Sequence, residues 1–143
     1  MTTEEKLALV RQFAVFKDVD EALLKSLVEQ ALELEFAQGQ VLAREGQIGT
    51  GMFLILKGSV SVIRHAREVA VSGPGGIIGE MSVLARAPRI ASLVAREPVV
   101  CLGIASWELD EILKRPDLAE SITSVDREHR LVEQERLARE REH

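Results

Sequence analysis

The sequence predicts a mainly β fold, an antiparallel sandwich or barrel with helices before and after it. Three observations carry this. Between residues 32 and 105, short apolar and β-branched runs such as "MFLILK" and "SVSVIR" are separated by glycines every few positions. No long helical pattern lies between these runs, which argues against parallel strands joined by crossover helices. On both sides of this zone the apolar residues return to helical spacing.

Taken in order, residues 1–31 read as N-terminal helices. Leu7, Val10, Phe13 and Ala14, then Leu23, Leu24, Leu27, Val28 and Ala31, recur at helical intervals. "TTEEK" offers a threonine and early acids for a helix start. "DVDEALLKSL" opens a second helix with Asp18 or Asp20 as its cap. In the zone 32–105 the strand candidates are "LELEFA", "QVLAR", "MFLILK", "SVSVIR", "EVAVS", "IASLVA" and "VVCLGI". Several alternate apolar and polar residues, as a half-buried strand does. "GEMSVLARA" follows a glycine turn and has few strand formers at its start, so it reads as one short helix. From Ser106 to residue 143 the pattern is helical again. "SWELDEILKRP" has Ser106 as cap and ends at Pro116, and a longer segment opens with Asp117. Its last part, "DREHRLVEQERLAREREH", mixes both charge signs.

A chain of 143 residues fits a single domain with its own core. A hydrophobic fraction of 46% and a charged fraction of 29% are those of soluble globular proteins. The net charge of −5 argues against direct nucleic-acid binding, which calls for a basic surplus. One cysteine, Cys101, rules out an internal disulfide and points to a reducing, cytoplasmic setting. The N-terminus lacks the basic start and apolar run of a signal peptide. No window approaches the roughly 18 apolar residues needed to span a bilayer.

The chemistry concentrates in "GGIIGEMSVLARAPRIAS", residues 75–92. It sets one carboxylate, Glu80, and one guanidinium, Arg89, at the two ends of a small apolar segment. The pair is either a structural ion pair or faces a ligand bearing both hydroxyls and negative charge. An anion needs donors and positive potential, and a helix N-terminus supplies free N–H groups. Gly79 lets the backbone approach a ligand, with the N–H groups of Glu80 to Val83 in the first turn. Arg89 adds a two-donor grip for phosphate oxygens. An ionised Glu80 only accepts hydrogen bonds, so it suits a sugar hydroxyl. Phosphate at one end and ribose at the other describe a bound nucleotide.

These residues resemble the phosphate-binding cassette of cyclic nucleotide-binding domains, the modules of catabolite-activator-type regulators, cyclic-nucleotide-gated channels and the regulatory subunit of the cAMP-dependent kinase. The upstream stretch "FAQGQVLAREGQIGTGMFLILKGSVSV" is also similar, with Gly39, Glu45-Gly46, Phe53 and Gly58 in the family's pattern. The resemblance spans roughly residues 13–115 and is most specific at Gly79-Glu80 and at Arg89 after Pro88. It implies a jelly-roll-like β-barrel (a double-stranded β-helix) with helices at both ends. It also implies a regulatory sensor domain without catalytic residues, metal or cofactor. Glu80 would take the ribose 2′-hydroxyl and Arg89 the cyclic phosphate. Gly79 and the backbone N–H groups around Met81, Ser82, Ile90 and Ala91 would complete the cradle. Two positions depart from the family. Ile90 stands where Ser, Thr or Ala is usual, which leans the ligand towards cAMP rather than cGMP and suits the rival reading of an interaction module without nucleotide. Ile78 stands where an aromatic residue is frequent. A last helix that lids the base or pairs with a second copy is the family's habit, with Val125, Leu131 and Val132 as its apolar contacts here. The implied partners are a cyclic nucleotide, a second copy of the chain, or a channel, transporter or enzyme under its control.

The remaining features read more plainly. "SGPGGIIG" fails the dinucleotide fingerprint, because Ile78 follows Gly73 and Gly75 where a third glycine belongs. Arg86 reads as a solvated loop residue, Ser82 as a cap of the short helix, and Cys101 as inert core. Trp107 reads as an anchor for the C-terminal helices. His65, His129 and His143 are scattered and make no metal-ligand spacing.

Overall fold

The computed structural model describes residues 1–141, so His143 lies outside the described residues. The chain opens with α1 (Thr3–Arg11), where the Thr2 hydroxyl accepts from the Glu5 N–H. A 3-10 turn (Ala14–Phe16) leads to α2 (Glu21–Gln30). Of the two candidate caps, Asp20 is used, accepting from the Ala22 N–H at 2.7 Å.

Strands β1 (Leu32–Phe36), β2 (Val41–Ala43), β3 (Gly51–Lys57), β4 (Val60–Arg64), β5 (Arg67–Ser72) and β6 (Ile77–Ile78) follow. The short helix α3 (Glu80–Ala85) interrupts them before β7 (Ser92–Ala95) and β8 (Val99–Ala105). The helices α4 (Ser106–Ile112) and α5 (Pro116–Arg141) complete the chain. The strands form two four-stranded sheets, ordered β1-β8-β3-β6 and β2-β7-β4-β5, with every pairing antiparallel. This is the expected jelly-roll-like barrel.

Strand β3 explains how one chain builds two cores. Its run Met52–Leu56 is buried at every position rather than alternating. Met52, Leu54 and Leu56 face outwards and pack with Val10, Phe13, Phe16, Leu24 and Leu27 of the N-terminal segment. Phe53 and Ile55 face inwards and pack in the barrel with Val60, Ile78, Leu93 and Cys101. The helices therefore cover one sheet's outer face, and a period of two is hidden because both faces are apolar. Burial pushes the Cys101 thiol up to about 11, as expected for an unreactive core cysteine.

Three expectations for the C-terminal helices are corrected. Ala105, not Ser106, is the cap of α4, and no side chain bonds there. Pro116 begins α5 instead of closing α4. Its missing N–H costs nothing in a first turn, where that N–H would have no helical partner. Trp107 is 70% exposed and anchors nothing. Leu109 and Ile112, three residues apart, take the buried face of α4, and Trp107 falls on the opposite side.

Candidate functional site

The site forms where β6 turns into α3. Gly79 ends the strand in the left-handed region at φ +85°. A side chain here would be strained, and its Cβ would sit 2.8 Å from an Arg89 nitrogen. Helix α3 lasts six residues and closes at Arg86, also left-handed at φ +52°. Arg86 does not line the cavity described below.

Ser82 is not the cap that the sequence suggests for the short helix: Gly79 holds that position, no side chain bonds there, and Ser82 lies inside α3. Its hydroxyl accepts from the Gly49 N–H at 3.0 Å and donates to the Ala87 carbonyl. One buried side chain thus ties three segments together: α3, the loop before β3, and the loop that carries Arg89. The backbone of Arg89 is pinned from the same side, its N–H donating to Gln47 and its carbonyl accepting from Gly46, both at 2.8 Å.

The Arg89 guanidinium is held by carbonyls, not by a carboxylate. It donates to Gly51 at 2.7 Å and to Gly79 at 3.4 Å, and lies 6.0 Å from the ring centre of Phe53. Burial, with 8% of the residue exposed, lowers its pKa, but an arginine stays charged. Among the described residues it has no acidic partner. The ion-pair reading of Glu80 and Arg89 therefore does not describe this geometry.

Glu80 is 1% exposed. Its Oε1 is bonded to Nδ1 of His129 on α5, and its Oε2 is buried without a partner. An unmatched buried oxygen costs about 1–3 kcal/mol, more for a charged group. The hydrogen bond to Glu80 is the main cause that raises the His129 pKa, with burial opposing it. The charges of Glu80, Glu128 and Asp126 add to the rise.

All seven residues singled out in the sequence, Gly79, Glu80, Met81, Ser82, Arg89, Ile90 and Ala91, line one cavity of about 280 Å³. That lies close to the lower end of the roughly 300–1,000 Å³ of small-molecule sites. Ile90 is 41% exposed and is one of the residues that line this space. The barrel supplies an apolar wall that includes Val62, Ile78 and Leu93.

A model of the family described as "Cyclic nucleotide-binding domain" matches residues 33–116, more than half of the chain. The chain belongs to that family. The cAMP-dependent protein kinase regulatory subunit of Yarrowia lipolytica is 30% identical over 101 residues, 71% of this chain and 26% of that protein. The solved N-terminal domain of a transcriptional regulator from Streptomyces coelicolor is 26% identical with a TM-score of 0.71, over 90% of this chain and 93% of that one. A cAMP-binding acyltransferase from Mycobacterium smegmatis is 31% identical with a TM-score of 0.68, over 86% of this chain and 40% of that one. This domain thus spans about a quarter of the length of the kinase subunit it matches. No described helix is long and apolar enough to cross a membrane.

Helix α5 also lines this domain's cavity, through His129, Val132, Glu133, Arg136 and Arg139. Val132 was singled out as a lid contact and lines the cavity, though 54% exposed. Leu131 does not line it and is 56% exposed. Val125 packs in the core beneath the helices, because the stripe begun by Leu118 and Ile122 reaches it at helical spacing. The sequence shows His129 only as one of three scattered histidines, whereas the structure sets it against Glu80. It stands four residues after Val125, on the same helix face, which sets its side of α5 but does not reveal its partner.

Proposed function

We propose that the domain senses a cyclic nucleotide, cAMP rather than cGMP, and that its C-terminal helices repack when the ligand enters. Arg89 takes the cyclic phosphate, Glu80 the ribose 2′-hydroxyl, and the N–H groups around Met81, Ser82, Ile90 and Ala91 complete the cradle. The observation that carries this is a buried guanidinium with no acidic partner among the described residues, sharing one cavity with a carboxylate that has an unmatched oxygen. A cation so placed favours an anion over water. The cyclic diester carries one negative charge, which Arg89 balances, and its ribose brings the hydroxyl that an acceptor-only Glu80 needs. The relatives support the class, since proteins described as cAMP-dependent or cAMP-binding share this chain's cassette region. The domain acts as a regulatory unit in the cytoplasm, as a homodimer or under a channel, transporter or enzyme, without catalysis or nucleic-acid contact of its own.

Calorimetry with cAMP tests this on wild type and Arg89→Ala. Loss of two charge-assisted bonds at about 1.5 kcal/mol each lowers affinity roughly 100-fold. A melting transition shows that the variant folds. Equal affinity of the two proteins overturns the assignment of Arg89. The competing reading is an interaction module that no longer takes nucleotide, and the cover over Glu80 favours it. Thermal shift separates the two: a binder gains about 2.7 kcal/mol at a hundredfold excess of ligand over Kd, and a non-binder gains nothing.

A further inference from the structure

We propose that His129 is a proton-controlled latch on the site: it holds the Glu80 carboxylate that the ribose hydroxyl must reach, so the lid and the nucleotide compete for one group. This rests on the nucleotide reading above and concerns the regulation of that same site.

The geometry is specific. Helix α5 runs past the mouth of the cavity, and its His129 Nδ1 bonds Oε1 of Glu80. Oε2 is buried and has no partner. With the imidazole in place, Oε1 is taken and the unmatched Oε2 is shut away, so the acceptor the ribose would use is present but covered. A ligand can engage Glu80 only if the imidazole leaves. The imidazole has somewhere to go, because its side chain is 39% exposed while that of Glu80 is 1% exposed. A second tie holds the same part of the helix, Arg64 of β4 to Glu133. The core anchors of α5 (Leu118, Ile122 and Val125) all precede His129, so the latch can open without unpacking the domain.

The charged groups around the imidazole set its response to pH. Glu80 faces it from α3, and Asp126 and Glu128 act from its own helix. Arg89 lies across the cavity, and Glu133, Arg136 and Arg139 continue along α5. Glu133 is engaged by Arg64 and Arg136. Asp126 is paired with Arg130. The bond to Glu80 leads the rise in the His129 pKa, the charges of Glu80, Glu128 and Asp126 add to it, and burial opposes it. The latch contact is therefore fully present below the ordinary histidine value of about 6.5 and weakens as pH rises through the raised value. A ligand that frees His129 returns its pKa towards the ordinary value and releases a proton at any pH between the two. Nucleotide affinity rises with pH across that window and is flat on either side.

The test uses the full chain. NMR titration follows the His129 ring in wild type and Glu80→Gln, with and without cAMP. Calorimetry measures cAMP affinity for wild type, His129→Ala and His129→Gln across the window, in buffers of different ionisation enthalpy. The latch requires a raised His129 pKa that Glu80→Gln and cAMP each bring back down. It also requires proton release on binding to wild type, no pH dependence in either His129 variant, and binding to His129→Ala roughly 3- to 10-fold tighter, the worth of a half-exposed charge-assisted bond. If wild type binds cAMP with the His129 titration unmoved, or His129→Ala binds more weakly, the latch is overturned and the nucleotide reading stands. If neither wild type nor His129→Ala binds cAMP or cGMP, the nucleotide reading itself is overturned, and the competition with it.

Discussion

Helix α5 does two jobs along one face. In its first half Leu118, Ile122 and Val125 enter the helical core, and the Ser121 hydroxyl reaches the Val15 carbonyl at 2.6 Å. In its second half the same stripe continues at the same spacing as His129, Val132, Glu133 and Arg136, which face the cavity instead. The first half is held by buried apolar surface, which pH and ligand barely affect. The second is held by hydrogen bonds and ion pairs to Glu80 and Arg64, which pH, salt and a competing ligand can break. In the mechanism proposed above, a tight first half and a loosely held second half on one helix would let a change at Glu80 be felt elsewhere.

The strongest break in this contrast is Ile122→Ala. Ile122 is fully buried, so losing its methyl and methylene groups costs about 2–5 kcal/mol of stability, read by urea or thermal unfolding. Val132→Ala, one of the exposed cavity-facing positions, shifts stability by no more than about 0.5 kcal/mol. Similar losses from the two variants would erase the division of the helix.

The same contrast shows which parts of the molecule could be read from residues alone. The cassette was legible because its parts are local: Gly79 must take a positive φ, Glu80 follows it directly, and Arg89 returns on the next loop. The barrel was legible from glycine-punctuated runs, even where β3 conceals its period by being buried on both faces. The lid contact was not, because His129 is 49 positions from Glu80 and sits inside a run of mixed charges. Nothing local distinguishes a histidine that solvates a helix from one that meets a buried carboxylate. Trp107 misled for the opposite reason, since its size suggested burial while the spacing of Leu109 and Ile112 had already chosen the other face of α4.

A middle-sized effect is expected from Ser121→Ala. Ser121 is 7% exposed, and the loss of its hydroxyl leaves the Val15 carbonyl short of a donor. The cost is about 1–2 kcal/mol in equilibrium unfolding, with the apolar contacts intact. Hydrogen exchange should quicken first around the 3-10 turn and the start of α5, and the His129 titration should stay as in wild type. A variant that shifts the His129 titration as strongly as Glu80→Gln would show that the two halves are not separable.

A smaller change than Ser121→Ala, Arg64→Ala probes the latch half from the barrel side. Arg64 and Glu133 are half-buried at side-chain exposures of 18% and 16%, and Arg136 also bonds Glu133 within α5. Removing Arg64 therefore leaves Glu133 a partner on its own helix but cuts the tie to β4. Stability changes by about 1 kcal/mol or less, as for most partly exposed ion pairs. The effect belongs in the lid: amide exchange rises beyond His129 but not before Val125, and cAMP affinity moves in the same direction as in His129→Ala. The dependence on pH remains, because the titrating group is still present. An Arg64→Ala protein that loses protection along the whole of α5 would mean that the ion pair holds the hinge as well, and the helix would have to be treated as one piece.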